Sequence, residues 1–340
     1  MSYFKPFTST KCNKIVSKRL NETKFGETIS ILTNHDNIYE QLLKIDVQFV
    51  ILGIEEDIGV FANQGHTGTS KAWSSIIKKL LNTQYNSLNQ AEKVLILGSF
   101  QFHDYQNELE KLDQKSAKDL NKVRNWVETI DKEVSFLVSQ IVQAGKIPII
   151  IGGGHNNAYG NIKGTSLALK SAINVINFDA HHDFRPLEGR HSGNGFSYAF
   201  DEGFLKRYCI FGLHENYISN DILKRLNKLK RIQYRTFEDM AIRKKLKLFK
   251  EMAASNKFLG KKPLGIEVDI DAIEYAPSSA RSPSGFSVNN ARQFVNYFGS
   301  LNSATYLHIC EAAPSLRNES QIGKLISYLV TDFIRAVEGR

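Results

Sequence analysis

Three short segments carry side chains that could hold hard or borderline metal ions. Asp179-Ala180-His181-His182-Asp183 follows the apolar run INVINF, Asp269 and Asp271 close the run GIEVDID, and Gly152-Gly153-Gly154-His155 follows KIPIII. Alternate side chains of an extended chain share a face, so Asp179, His181 and Asp183 are expected to converge while His182 points away. Asp269 and Asp271 share a face on the same ground, and two aspartates so close are costly unless a cation neutralises them. The glycines allow a tight turn that leaves His155 at the rim. Each segment alone is an ordinary strand end; together they predict a binuclear centre ligated by His155, Asp179, His181, Asp183, Asp269 and Asp271. The four carboxylates balance two divalent ions, and one imidazole remains for each. Ligation rich in carboxylate and free of thiolate favours Mn2+, two per chain. Two such ions can share a water, lower its pKa towards neutrality and present hydroxide to an electrophilic carbon.

Strands must deliver those residues. Apolar, β-branched runs occur at 48–54, 93–100, 146–153, 173–180, 207–213, 263–270 and 304–312, several of them apolar on successive residues, as in strands buried on both faces. Helical patterns at 115–144, 157–171, 219–230, 237–256, 287–299 and 320–337 alternate with them. The reading is an α/β fold, a three-layer αβα sandwich around a central, mainly parallel sheet, with its ligands at strand ends. Residues 1–44 are expected to be an N-terminal extension packed on the domain, and 45–340 a single catalytic domain. The polar stretch 104–131 is expected to be an exposed insertion or interaction surface.

Composition removes other classes. The chain has 340 residues with 44 Lys+Arg and 35 Asp+Glu, a net charge of +9. Much of the excess lies on amphipathic stretches, LKRLNKLKR (223–231) and RKKLKLFK (243–250), without an aromatic-rich RNA motif or zinc-finger spacing, so a nucleic-acid partner is not expected. No apolar run approaches the roughly 20 residues of a membrane helix, and the first residues lack the apolar segment of a secretory signal. The three cysteines, Cys12, Cys209 and Cys310, are too few and scattered for a disulfide framework, which points to a reducing, cytoplasmic setting. The expected partner is a small molecule; the sequence leaves self-association open.

The chemical segments also resemble a known family. GGGHNNAYG (152–160), DAHHD (179–183) and DID (269–271) resemble the three metal motifs of the arginase/agmatinase ureohydrolases. GIEEDIGVFANQGHTG (53–68) is similar to that family's first strand and its Asn-x-Gly-Arg-x-Gly loop, with His66 where Arg is usual, and HICEAAPSL (308–316) resembles the strand whose glutamate, here Glu311, holds the substrate's guanidinium or amidinium. There are departures: Glu267 stands at a usual Ser, Glu274-Tyr275 at a usual Asp-Pro, Arg281 where small residues are usual, and Phe196 where arginases carry a loop His. Ser192-Gly193-Asn194 matches the arginase loop, yet Arg185 after the ligand Asp183, the Ser-Gly pair and Phe196 together are more similar to formimidoylglutamases.

The resemblance implies hydrolysis of a linear amidine C–N bond, with N-formimino-L-glutamate of histidine metabolism as the first choice. Arginase- or agmatinase-like guanidino hydrolysis and a non-catalytic metal-binding protein are the alternatives. It further implies that Glu311 holds the amidinium and that Asp271 relays the water's proton to the leaving nitrogen. Arg185 offers a planar fork for a substrate carboxylate, with Arg190 or Arg281 as second partners and Asn194 from the arginase-like loop. The alternative for Arg185 is a structural ion pair with Glu188. His191 is read as an exposed, solvated loop histidine.

Overall fold

The computed structural model describes residues 3–34 and 36–340. The apolar runs become strands: β1 (Phe4–Pro6), β2 (Phe49–Glu55), β3 (Val94–Gln101), β4 (Ile147–Ile151), β5 (Ile173–Phe178), β6 (Leu205–Leu213), β7 (Ile232–Thr236), β8 (Leu264–Asp269) and β9 (Ala304–Cys310). Among the described residues these form one nine-stranded sheet in the order β1-β3-β2-β4-β9-β8-β5-β6-β7. Only β1 runs antiparallel, its Phe4 opposite Phe100 of β3.

Alternation within each strand divides two apolar layers. Ile149 and Ile151 of β4 pack with Ile266 and Val268 of β8 beneath helices 72–80, 248–259, 288–299 and 319–338. Ile150 and the β5 residue Val175 pack on the other side beneath helices 117–143, 157–168, 195–201 and 220–228. Both faces of the sheet are therefore covered, which is the three-layer α/β sandwich that near-continuous apolar strands demand. No described helix is long and apolar enough to cross a membrane.

All seven expected strands are present, and two were not foreseen. β1 is three residues long, and β7 (IQYRT) is an edge strand carrying Gln and Arg, so neither shows the apolar run that marks a buried strand. The stretch 104–131 is not an insertion: it contains most of a short helix, His103–Leu109, and the first half of helix 117–143, whose Leu120, Val123, Val127 and Ile130 are buried. That spacing of three and four residues makes an apolar stripe inside a polar composition. The expected helix over 237–256 is divided into a wide turn at Glu238–Ile242 and a helix at Leu248–Leu259. Between them Arg243 bonds back to Asp239 and Glu215, and Lys244 takes a left-handed φ of 51°.

Because the inner strands run parallel, the carboxyl ends of the adjacent strands β4, β9, β8 and β5 lie side by side on one edge. A ligand crevice is expected there.

Candidate active site

After β4 the chain turns through Gly153, whose φ is 70°. A Cβ there would lie 2.7 Å from Oε1 of Glu56, so the glycine permits a close approach as well as the turn. Glu56, wholly buried beyond the end of β2, accepts hydrogen bonds from Gly59 N (2.9 Å), Gly154 N (2.9 Å) and Asn157 Nδ2 (2.7 Å). Burial pushes its carboxyl up despite these donors. This clamp fixes the loop that carries His155.

His155 is fully buried, with Nδ1 2.8 Å from Asp183 Oδ2, 3.2 Å from Asp269 Oδ2 and 3.3 Å from Asp179 Oδ2. None of these approaches has hydrogen-bond geometry, and Nδ1 is left without a partner. A buried imidazole nitrogen ringed by carboxylate oxygens it does not bond to is arranged as ligands are around a cation. A second group comprises His181, Asp269 and Asp271, with His181 Nδ1 3.7 Å from Asp271 Oδ2. The structure thus brings all six expected side chains together as two ligand groups, and Asp269 belongs to both.

The convergence does not come from strand alternation. β5 ends at Phe178 and β8 at Asp269, so most of these residues lie beyond the ladder. Asp179 instead accepts the backbone N–H of His181 at 2.7 Å, Asp183 takes a left-handed φ of 43°, and Asp271 sits in a single helical turn, Ile270–Ala272. Side-chain-to-backbone turns of this kind are a property of aspartate that a two-residue period does not anticipate. His182 has its Nδ1 occupied by Phe184 N at 2.9 Å.

The charges are strained without a counterion. Burial, then repulsion from Asp271 and Asp179, pushes the carboxyl of Asp269 well above its usual range. Burial, then Asp179, raises Asp183. Burial also acts upward on Asp179, but the imidazoles of His155 and His181 outweigh it and hold that carboxyl low. Such a donor set, rich in carboxylate oxygen with one imidazole nitrogen per group, fits two divalent ions.

Glu311 follows β9 with a left-handed φ of 61° and is almost wholly buried. Its Oε1 accepts the backbone N–H of His155 at 2.7 Å, while Oε2 has no partner. Burial, then the neighbouring Asp271, pushes its carboxyl up to about 8. A buried carboxylate with one oxygen free is built to receive a cation.

Of these residues His181, Asp183, Asp269, Asp271 and Glu311 line a cavity of about 590 Å³ whose rim includes Arg185, Glu188, Tyr217 and Asp221, while His155 and Asp179 are not part of its lining. Arg185 lines the cavity and is also paired with Glu188, Nη2 to Oε1 2.7 Å, and its Nη1 donates to Asn63 Oδ1 at 3.2 Å. The other expected substrate contacts are not brought to the cavity. Arg281 is exposed and outside the lining; Ser279 and Ala280 turn inwards instead, Ala280 N donating to Asp271 Oδ1 at 3.0 Å. Asn194 also lies outside the lining, its Oδ1 accepting from Arg190 Nη1 (2.5 Å) and His191 N (3.0 Å) and its Nδ2 donating to Gly189 O (2.8 Å). Arg190 is buried, bidentate to Asp131 at 2.8 and 3.2 Å, and also donates to Asn156 O and to Asn194 Oδ1.

His191 is not a solvated loop residue. It is fully buried, Nδ1 accepting from Gly193 N (3.1 Å) and Nε2 lying 3.1 Å from Glu188 Oε1. Burial, then the Arg185 charge, pushes it down to about 3.

Several contributors went unassigned in the sequence. Glu56 was legible by the logic used for the aspartates, as a carboxylate closing an apolar strand. Tyr217, whose ring stacks on His181 at 5.0 Å between centroids, sits in a segment without a pattern. Glu267 was visible only as a departure; burial acts upward on its carboxyl, but His308 and His155 outweigh it and hold it at about 2. Phe196 lies edge-on to the His155 ring, centroids 5.0 Å apart.

A sequence model of the arginase family matches residues 47–335. The chain belongs to the arginase family. It is 30% identical over 234 residues to the formimidoylglutamase of Streptococcus gordonii, a match covering 66% of this chain and 64% of that one. It is 24% identical over 322 residues to the formimidoylglutamase of Streptococcus pyogenes serotype M3, covering 91% and 90%. Among solved structures, the formimidoylglutamase of Bacillus subtilis superposes with a TM-score of 0.72 at 20% identity, covering 95% of this chain and 94% of that one. The formiminoglutamase of Trypanosoma cruzi with Mn2+ gives 0.72 at 19% identity, covering 94% and 100%. The arginase-family sandwich is shared throughout.

Proposed function

We propose that the chain is a binuclear manganese hydrolase that cleaves N-formimino-L-glutamate to L-glutamate and formamide. The observation that carries this reading is the unpartnered Oε2 of Glu311 beside two ligand groups that share Asp269. His155, Asp179, Asp183 and Asp269 would hold one ion, and His181, Asp269 and Asp271 the other. When bound, the ions supply Lewis acidity and a water acidic enough to attack an amidine carbon near neutral pH.

The protein's own groups do the rest. Glu311 Oε2 accepts the amidinium N–H, and the substrate's positive charge compensates a carboxylate that burial otherwise disfavours. Asp271, oriented by Ala280 N, is the group placed to take the attacking water's proton and return it to the departing nitrogen. The water oxygen bonds to the amidine carbon, the bond to the glutamate nitrogen breaks, and formamide leaves with the other nitrogen. Phe196 fills a dry position against His155 and offers no proton relay.

The substrate's carboxylates favour Arg185, the cationic side chain among those lining the cavity. The names of the Streptococcus relatives support the same substrate. A panel of formiminoglutamate, arginine, agmatine, guanidinobutyrate and guanidine with Mn2+ tests it. Faster turnover of arginine or agmatine would transfer the reading to a guanidino hydrolase; no turnover with both ions bound would make the protein a non-catalytic member. A cytoplasmic place in histidine breakdown follows from this reading.

A further inference from the structure

Glu267 lies within β8, a strand otherwise apolar up to its terminal aspartate. Its carboxylate is wholly buried and held by two neighbours on β9. Tyr306 donates its hydroxyl to Oε1 at 2.7 Å, and His308 Nδ1 lies 2.5 Å from Oε2. The pairing of β8 with β9 sets Glu267 opposite His308, and Tyr306 is two residues earlier on the same face. Gly265 makes room for this: a Cβ there would meet the Tyr306 ring at 2.4 Å. Three positions on two strands, Gly265, Tyr306 and His308, thus combine to hold one carboxylate.

That carboxylate faces a metal-site histidine from behind. Glu267 Oε2 lies 3.5 Å from Nε2 of His155, the nitrogen opposite the Nδ1 that Asp179, Asp183 and Asp269 surround. His155 Nε2 is buried and makes no hydrogen bond, and the Glu267 carboxylate is the charged group that approaches it. An imidazole that binds a metal through one nitrogen carries its proton on the other, and a carboxylate at that proton fixes tautomer and ring plane and raises ligand basicity.

We propose that Glu267 is the positioning residue of His155: with an ion on Nδ1, the Nε2–H closes the 3.5 Å gap to Glu267 Oε2 so that the Nδ1 lone pair faces Asp179, Asp183 and Asp269, with Tyr306 and His308 holding the carboxylate in register. This rests on the binuclear reading above and gives a role to the glutamate that stands where the resemblance leads one to expect serine. It also acts on one ion position only. The His181 ring is stacked on Tyr217, and among the described residues no hydrogen bond or ion pair joins it to Glu267.

The test is stepwise Mn2+ titration of the metal-free full chain, followed by electron paramagnetic resonance, for the wild type, Glu267→Gln and Tyr306→Phe. The wild type is expected to take two ions. Glu267→Gln is expected to keep one affinity and to weaken the other about 10- to 100-fold, the range for loss of such a support, with excess Mn2+ restoring kcat at unchanged KM. Tyr306→Phe is expected to shift the same ion in the same direction by less. Two wild-type affinities in Glu267→Gln, or equal weakening of both ions, would overturn the proposal. Should Glu267→Gln not fold, Tyr306→Phe decides, and unchanged affinities there overturn it as well. A wild type that takes fewer than two ions would bring down the binuclear reading itself.

Discussion

Asp179 and Asp269, at the carboxyl ends of the neighbouring strands β5 and β8, are turned in the same way. Each gives Oδ1 to the backbone N–H two residues ahead, His181 N and Asp271 N, both at 2.7 Å. Each points Oδ2 at His155 Nδ1, at 3.3 and 3.2 Å. The backbone therefore fixes which oxygen of each carboxylate is free, and the geometry of the candidate ligand groups is set by the fold itself.

Metal content follows from that arrangement. The wild type reconstituted with Mn2+ is expected to hold two ions per chain by elemental analysis. Asp269→Asn should lose both, because Asp269 belongs to both groups, and His181→Ala should retain one. His182→Ala should retain both, since that ring bonds Phe184 N. Loss of both ions in His182→Ala with full retention in His181→Ala would reverse the assignment.

Glu311→Gln separates binding from chemistry. With Oε2 as the amidinium anchor, turnover should fall by about two to three orders of magnitude, the effect of removing one strong transition-state contact, while metal content stays at the wild-type value. Steady-state kinetics beside elemental analysis measures this; wild-type turnover would remove Glu311 from its role.

Arg185→Ala should discriminate between substrates. The guanidinium is half-exposed and already paired with Glu188, so its loss should cost about 1–2 kcal/mol in kcat/KM on formiminoglutamate, less than a fully desolvated pair. A substrate without a carboxylate should be nearly unaffected. Equal losses on both would assign Arg185 to loop order alone.

Stability should fall in acid through His191. Its folded pKa is pushed below the unfolded value, so between about pH 6.5 and 3 the unfolded chain binds a proton that the folded chain does not. Stability is intact above that window and is lost as pH falls through it. Thermal melts of metal-free wild type and His191→Gln across pH 4–7 should show a smaller acid loss in the variant; parallel curves would exclude His191 as a source.

The candidate ligands were legible because Asp and His at strand ends are both rare in apolar runs and chemically specific. Their manner of convergence was not, since the aspartate turns after β5 and β8 depend on side-chain bonds to the backbone rather than on strand period. The strands of the sheet's interior were legible as unbroken apolar runs, while β1 and β7 at its edges lack that pattern. Long-range pairings left no sequence signal: nothing near Arg190 indicates that Asp131, on a distant helix, will bury and neutralise it. For the same reason Arg281 and Asn194, adjacent in sequence to site residues, could not be told from residues that face the cavity.

The buried Arg190 also divides its loop. Its guanidinium lies between the rings of Tyr159 and Tyr198, 4.8 and 4.9 Å from their centroids, and its bond to Asp131 ties the segment to helix 117–143. From Arg190 to Ser197 the chain is buried, whereas Arg185–Glu188 is exposed. Arg185, proposed above to read the substrate's far end, therefore sits on the exposed side, where its backbone is held by Gly193 O and Ser197 Oγ and its side chain is open to exchange. The exposed side chains of Arg185 and Leu187 can change without disturbing the buried segment, whereas Glu188, paired with His191, and Gly189, with its φ of 94°, are constrained. The proposed specificity residue and the candidate metal site can therefore evolve separately.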